Sequence, residues 1–81
     1  MIRKVIDYVK NDEFEIKFDN RYINVINFSN ISYMEDSKIK INYNEGSVLI
    51  KGNELTVSKL LDNEILIKGK FTNIEFRRNY E

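Results

Sequence analysis

Apolar and polar residues alternate in short runs along most of this sequence, and this pattern constrains the fold more than any other feature. Phe14, Ile16 and Phe18 alternate with charged residues, and similar runs continue as far as Phe76. Successive side chains of a β-strand point to opposite faces, so a period of two predicts strands with one buried face. The sequence therefore predicts an all-β domain of about eight short strands.

The runs also recur at a fixed distance. Residues 48–57, VLIKGNELTV, are followed 17 positions later by residues 65–74, ILIKGKFTNI, and the same spacing leads back to positions 31 and 14. The chain thus divides into four units of two strands. Hairpins of equal length produce such a repeat, and we favour a meander folded into a sandwich or partly open barrel. A short β-roll or solenoid is the alternative.

Turn-forming residues separate the runs. Asn, Asp and Gly tolerate the positive φ angles that tight hairpin turns require. The predicted breaks are Asp19-Asn20, residues 27–30, Asp36-Ser37, Asn44-Glu45-Gly46, Gly52-Asn53, Asp62-Asn63 and Gly69-Lys70. Gly52 and Gly69 are expected to be structural turn glycines that meet a backbone need: a positive φ, a bulge or a close strand approach. Neither has the context of a phosphate-binding loop.

The length of 81 residues indicates a single small domain with three parts. Residues 14–76 form the β-repeat region, and residues 77–81 are a short tail. Within residues 1–13, Ile2, Val5, Ile6 and Val9 have the spacing of one helix face. This segment is predicted to be a short helix or an extension, although so short a helix is marginal alone.

Composition excludes several chemistries. The chain has no Cys and no His, which removes thiolate chemistry, the commonest general base and the commonest metal ligand. No motif suggests a catalytic, cofactor-binding or metal-binding residue, so we expect a protein that is not an enzyme and needs no cofactor. No apolar run approaches the ~20 residues of a membrane span, and a soluble cytoplasmic protein is expected.

Leu49 and Leu66 are the candidate interaction residues. Alternation places them opposite their apolar neighbours, at the same position of consecutive units. Exposure would forfeit about 1.5–3 kcal/mol for each leucine, so we expect something to cover them. The candidates are the helix face of residues 2–9, a sheet buried on both faces, or a second protein. A protein partner or self-association is expected, and a homo-oligomer is the simplest form.

A basic stripe near the C-terminus suggests a second hypothesis for the function: the chain is a small barrel that binds single-stranded nucleic acid. It would combine cations with Phe76 and Tyr80. The cations are Lys51, Lys68, Lys70, Arg77 and Arg78. However, thirteen basic side chains balance thirteen acidic ones, so nucleic acid is disfavoured as a partner. The basic residues near the N-terminus leave membrane contact open.

Two stretches carry a family resemblance. Residues 49–76, LIKGNELTVSKLLDNEILIKGKFTNIEF, contain two Ile-x-Gly motifs, a Leu-x-Val strand between them and a closing Ile-x-Phe. Residues 22–41, YINVINFSNISYMEDSKIKI, contain an alternating strand, an Asn-aromatic turn and a second strand. Together they resemble the YabP/YqfC family of sporulation proteins, of which residues 14–76 carry the pattern. The segment MIRKVIDYVKNDE has no recognisable counterpart.

The resemblance implies a role in endospore-forming bacteria, on the mother-cell side. It carries no enzymatic activity, ligand or catalytic residue to this chain. The clearest shared positions are Gly52 and Gly69. The expected function is therefore a non-catalytic structural or protein-interaction module in endospore formation.

Overall fold

A computed structural model describes residues 13–79, which form six antiparallel strands in one sheet. The strands are β1 Glu15–Phe18, β2 Tyr22–Ile26, β3 Asn30–Met34, β4 Lys38–Tyr43, β5 Gly46–Leu60 and β6 Glu64–Arg78. Their order in the sheet is β1-β2-β6-β5-β4-β3. The all-β prediction is confirmed. The helix predicted over residues 2–9, and Tyr80 of the tail, lie outside the described residues.

Two-residue turns close all four hairpins of residues 13–79 at places where the sequence predicts breaks. Asp19 N–H donates to Tyr22 C=O at 3.0 Å, Glu35 N–H donates to Lys38 C=O at 2.8 Å, and Leu61 N–H donates to Glu64 C=O at 2.8 Å. The fourth turn, Asn44-Glu45, joins the end of β4 to the start of β5. These polar turn residues fix the register of each hairpin.

The described strands number six rather than eight because β5 and β6 each contain two of the predicted runs. The chain does not turn back at Gly52-Asn53 or Gly69-Lys70; each pair lies inside a strand of 15 residues. Register shifts between Lys51 and Gly52 and between Asn53 and Thr56 mark bulges there. A glycine can permit a bulge as well as a turn, and in this chain it permits the bulge.

The two glycines allow β5 and β6 to approach closely at these bulges. A Cβ atom on Gly52 would lie 2.2 Å from the Lys70 carbonyl oxygen. Gly69 has φ 146°, and its Cβ would lie 2.9 Å from the Glu54 carbonyl oxygen. Any other residue would force these backbones apart, so both positions require glycine.

The long strands divide the sheet into two half-sheets. The first half-sheet consists of β1, β2, residues 64–68 of β6 and residues 56–60 of β5. The second half-sheet consists of β3, β4, residues 46–51 of β5 and residues 73–78 of β6. We call the intervening residues 52–55 and 69–72 the junction. All five strand pairings in residues 13–79 are antiparallel, which is the pairing of hairpins and not of a parallel β-helix.

Apolar rows cross each half-sheet because direct cross-strand partners share a face. One row of the first half-sheet is Ile16, Val25, Ile65 and Leu60, and one row of the second is Ile31, Ile41, Val48 and Phe76. Both half-sheets contribute to one buried cluster of Ile23, Val25, Ile39, Ile41, Val48, Ile50, Leu55, Ile65 and Ile67. We call the side of these residues the inner face and the opposite side the outer face.

One aromatic contact links the two half-sheets outside the strand ladder. The rings of Phe14, just before β1, and Tyr43, at the end of β4, stack with centroids 3.8 Å apart and planes within 9°. β1 and β4 are not neighbours in the sheet, so this stack brings separate parts of the sheet together. Full closure into a sandwich or barrel stays a prediction.

Candidate interaction surface

Leu49 and Leu66 both lie on the outer face, where the alternation places them. Leu49 is the direct partner of Lys40 on β4 and of Glu75 on β6. Leu66 is the direct partner of Asn24 on β2 and of Lys59 on β5. Each leucine is half-buried, because long polar side chains flank it on both sides.

The two leucines occupy corresponding places in different half-sheets and do not form one patch. Leu66 precedes Glu75, the partner of Leu49, by nine positions along β6. Nine residues of extended strand span up to about 30 Å. A partner that covers both leucines must therefore extend across the junction, or two separate surfaces are present.

The surroundings of Leu66 form a shallow depression with balanced charges. Its volume is about 320 Å³, and its walls include Lys17, Phe18, Tyr22 and Glu64. The Asn24 amide donates to Glu64 Oε2 at 3.1 Å, and Lys59 Nζ lies 3.6 Å from the same oxygen. The polar groups beside this leucine thus contact one another, which leaves Leu66 and the Tyr22 ring as the apolar part of the depression.

The surroundings of Leu49 carry more positive charge. Lys38, Lys40, Lys51 and Arg77 share the outer face of the second half-sheet with two carboxylates, those of Glu75 and of Glu35, which pairs with Lys38 at the turn. Lys51 Nζ lies 3.5 Å from Glu75 Oε2, and Lys38 faces Lys51 directly across β4 and β5. Like charges at such a position repel each other, so this face favours an acidic ligand.

Tyr33 also lies on this outer face, contrary to the simple alternation. The sequence pattern puts Ile31 and Tyr33 on the same side of β3. A register shift between them pairs Tyr33 with Lys40, while Ile31 remains opposite Ile41. Lys38 Nζ then sits 5.7 Å from the centre of the Tyr33 ring, a cation–π contact.

The basic stripe predicted from the sequence is not continuous. Lys51 and Arg77 do share the outer face of the second half-sheet. Lys68 lies in the first half-sheet opposite Tyr22, Lys70 lies at the junction opposite Asn53, and Arg78 is paired with Gly46. The residues that complete the cationic face, Lys38 and Lys40, were missed because only the strand order places β4 beside β5.

One edge of β6 has no strand partner among the described residues. β2 pairs with β6 only at residues 64–68, so residues 73–78 are paired on the β5 side alone. Phe76 lies at this edge and is 50% exposed. An edge of this kind presents unpaired N–H and C=O groups to which another strand can add.

Within residues 13–79, no three Asp, Glu, His or Cys side chains come together as metal ligands. Every buried side-chain N or O atom in this part of the chain has a hydrogen-bond partner. The same residues contain no helix with the length and apolar character needed to cross a bilayer.

Fold and surface together define a small antiparallel β-sheet module with polar outer faces and open edges. Comparison with protein-family models matches residues 10–81 to the YabP family. The chain therefore belongs to the YabP family, as its resemblance to the YabP/YqfC pattern anticipates, and this relates it to sporulation. The match extends the resemblance into residues 10–13 and through the tail. Neither a curated protein nor a solved structure matches the chain.

Proposed function

We propose that this chain is a non-catalytic structural or protein-interaction module that acts in endospore formation, in the mother cell. Family membership supports the link to sporulation. The observation that carries the interaction role is the placement of one half-buried leucine on the outer face of each half-sheet, beside an open strand edge. A partner that covered these leucines would gain their remaining apolar area.

The Leu66 depression is the better defined of the two contact points. Phe18 and Tyr22 flank it and are both exposed large side chains. Since Asn24 Nδ2 and Lys59 Nζ already contact Glu64 Oε2, an incoming apolar side chain need not break these contacts. An apolar anchor of a partner protein therefore fits this depression.

Complementation in an endospore-forming host that lacks the native gene tests the proposal. The chain carrying Leu49→Lys and Leu66→Lys should accumulate at the normal level but give fewer heat-resistant spores, because a buried cation opposes partner docking. Affinity capture from the same cells should lose its partner with this variant.

Ser58→Lys is the matched control, since it adds a cation at an exposed position of β5 and removes no apolar contact. It should sporulate normally. Circular dichroism of each purified variant checks that the sheet is intact. Full spore yield from a folded double-leucine variant would show that the outer-face leucines play no part in the function.

Binding of single-stranded nucleic acid is the second candidate, and the cationic face around Leu49 favours it. Four cations oppose two carboxylates there, and Tyr33 adds an aromatic ring of the kind on which bases stack. A titration of labelled single strands at low salt decides the matter, because electrostatic binding is strongest there. Binding that Lys38→Glu and Lys40→Glu abolish would support this candidate, and no binding at low salt would exclude it.

A further inference from the structure

We propose that two copies of this chain join through the free edge of β6, in an antiparallel pairing with Phe76 opposite the partner's Phe76. This inference rests on the proposed interaction role and names the partner as a second copy. It uses the backbone edge of β6 with the side chains of Glu75, Phe76 and Arg77, and not the leucine side chains, so the two proposals have separate tests. The joined edges would extend two six-stranded sheets into one.

The hydrogen-bond pattern shows which backbone groups of β6 are available. Asn79 N–H donates to Glu45 C=O at 2.8 Å, and the pairing of β5 with β6 stays in one register from there to Asn73. Bonded and non-bonded pairs alternate along antiparallel strands, so Asn73, Glu75 and Arg77 direct their N–H and C=O groups toward β5. The corresponding groups of Ile74, Phe76 and Arg78 therefore point away from β5, toward the open edge.

The opposite side of β5 is consistent with this assignment. Gly52 N–H donates to Ser37 C=O at 3.0 Å, so even-numbered residues of β5 direct their backbone groups toward β4. Odd-numbered residues of β5 then face β6, where their partners are also odd-numbered. The second half-sheet thus has one continuous ladder, and its unpaired row lies along residues 74, 76 and 78.

Charge selects one register among the possible pairings. Two identical antiparallel edges are related by a twofold axis. The outward-pointing backbone groups of the two copies can bond to one another when this axis passes through Ile74, Glu75, Phe76 or Arg77. An axis at Glu75 opposes two carboxylates, and an axis at Arg77 opposes two guanidinium groups. An axis at Ile74 sets Glu75 against the partner's Asn73 and runs the pairing into the bulge between Phe71 and Asn73. The first two registers place like charges together, and the third has no opposite-charge pair and leaves the regular part of the edge.

The axis at Phe76 gives complementary contacts instead. Glu75 then faces the partner's Arg77, and Arg77 faces the partner's Glu75. These two residue pairs occupy non-hydrogen-bonded sites, where Cα atoms approach to about 4.5 Å and side chains are closest. Phe76, which is 50% exposed in the single chain, faces the partner's Phe76 across the axis.

The other edges in the described region are less suited to such pairing. β1 has four residues, and β3 contains the register shift between Ile31 and Tyr33. Residues 56–60 of β5 contain a shift between Val57 and Lys59. Bulges and short length prevent an edge from adding a further strand, whereas residues 73–78 of β6 are regular.

A charge-swap series measured by analytical ultracentrifugation across protein concentration tests the pairing. Glu75→Arg and Arg77→Glu should each raise the dimer dissociation constant at least tenfold, since each creates like-charge pairs at both contacts. The chain with both substitutions should regain the affinity of the unchanged protein, because twofold symmetry restores both opposite-charge pairs. Failure of the double variant to recover, with its sheet intact by circular dichroism, would overturn the register.

The exposed Glu15 and Lys17 of β1 provide a matched control, since they form an ion pair at the same spacing on another free edge. Glu15→Lys and Lys17→Glu should leave the dissociation constant unchanged. A chain that stays monomeric at every concentration would refute the dimer and leave the spore-yield test of the leucines unaffected.

Disulfide trapping gives a second readout that does not depend on charge. The natural chain has no Cys, so Phe76→Cys introduces one thiol per copy. Cα atoms of a hydrogen-bonded cross-strand pair lie about 5.5 Å apart, which a disulfide can bridge. Mild oxidation should link the Phe76→Cys copies and leave Met34→Cys, at an exposed position of the edge strand β3, unlinked. Equal cross-linking of the two variants would contradict the proposal.

Discussion

The two half-sheets share an inner face and differ on their outer faces. Rows of four apolar residues cross both, and each half-sheet provides four of the fully buried side chains. On the outer face, Leu66 lies beside a network in which Asn24 and Lys59 both contact Glu64, whereas Leu49 lies among cations that outnumber the carboxylates. The inner face forms the hydrophobic core in both half-sheets. A difference in function between the half-sheets therefore depends on the outer face.

Their free edges differ as well. In the first half-sheet the free edge of β5 is interrupted by the shift between Val57 and Lys59, and in the second the free edge of β6 is regular. A bulged edge resists the addition of a strand, and a regular one admits it. We therefore propose association through strand pairing for the second half-sheet and docking into a depression for the first.

The largest expected effect tests whether the two inner faces are equivalent. Ile67→Ala in the first half-sheet and Ile50→Ala in the second remove fully buried side chains. Each should lower the free energy of unfolding by about 2–5 kcal/mol, the usual range for isoleucine truncation in a core. Urea denaturation followed by circular dichroism measures both values. Because β5 and β6 run through both half-sheets, each variant should unfold in one transition.

Hydrogen exchange provides the control for the equivalence of the two inner faces. Both truncations should reduce amide protection in both half-sheets by similar factors, as expected when the sheet opens as one unit. Loss of protection confined to the half-sheet that carries the substitution would contradict a shared core and make the half-sheets separate folding units.

Substitution of the junction glycines should have the next largest effect. Gly52→Ala places a Cβ against the Lys70 carbonyl oxygen, and Gly69→Ala adds strain at φ 146°. Strained backbone positions cost about 1–3 kcal/mol each, so both variants should unfold at correspondingly lower urea concentration. Ser58→Ala, at an exposed bulge position between the same strands, should change stability by less than about 0.5 kcal/mol. Unchanged stability of both glycine variants would show that the junction relaxes freely.

Alternation and turn chemistry predict much of this fold. The apolar runs lie where the sequence places them, and Asp19-Asn20, Asp36-Ser37, Asn44-Glu45 and Asp62-Asn63 fall at the four tight hairpin turns. The count of strands was wrong because Gly52 and Gly69 serve equally well in a turn or a bulge. The choice between them depends on whether β5 and β6 pair along their whole length, which is a tertiary property.

The candidate surface was predictable only in part. Period-two alternation alone places Leu49 and Leu66 opposite the core. Their neighbours follow from strand order, which sets Lys40 beside one leucine and Asn24 beside the other. Period-two alternation from Ile31 would place Tyr33 on the inner face, whereas the structure has it on the outer face. One bulge residue between them shifts the register of β3, and the sequence pattern does not reveal that shift.

The smallest expected effect is a difference in coupling energy between one ion pair of the first half-sheet and one of the second. Lys59 and Glu64 lie 3.6 Å apart in the first, and Lys51 and Glu75 lie 3.5 Å apart in the second. Exposed pairs contribute about 0.2–1 kcal/mol. We expect the Lys59–Glu64 coupling to be the larger, because the Glu64 side chain is 27% exposed against 36% for Glu75. Each carboxylate also accepts one amide hydrogen bond, from Asn24 and from Asn73 respectively, so this contact does not separate them.

Double-mutant cycles with Lys→Met and Glu→Gln substitutions isolate each coupling energy. Lys51→Met should cost less than Lys59→Met, because it also removes the repulsion between Lys51 and Lys38 across the strands. Salt screens exposed charges over about 8 Å at physiological ionic strength, so the difference between the two lysine variants should shrink in 1 M salt. A difference that persists at high salt would mean that packing of the lysine stems, and not the excess positive charge of the second half-sheet, separates the two outer faces.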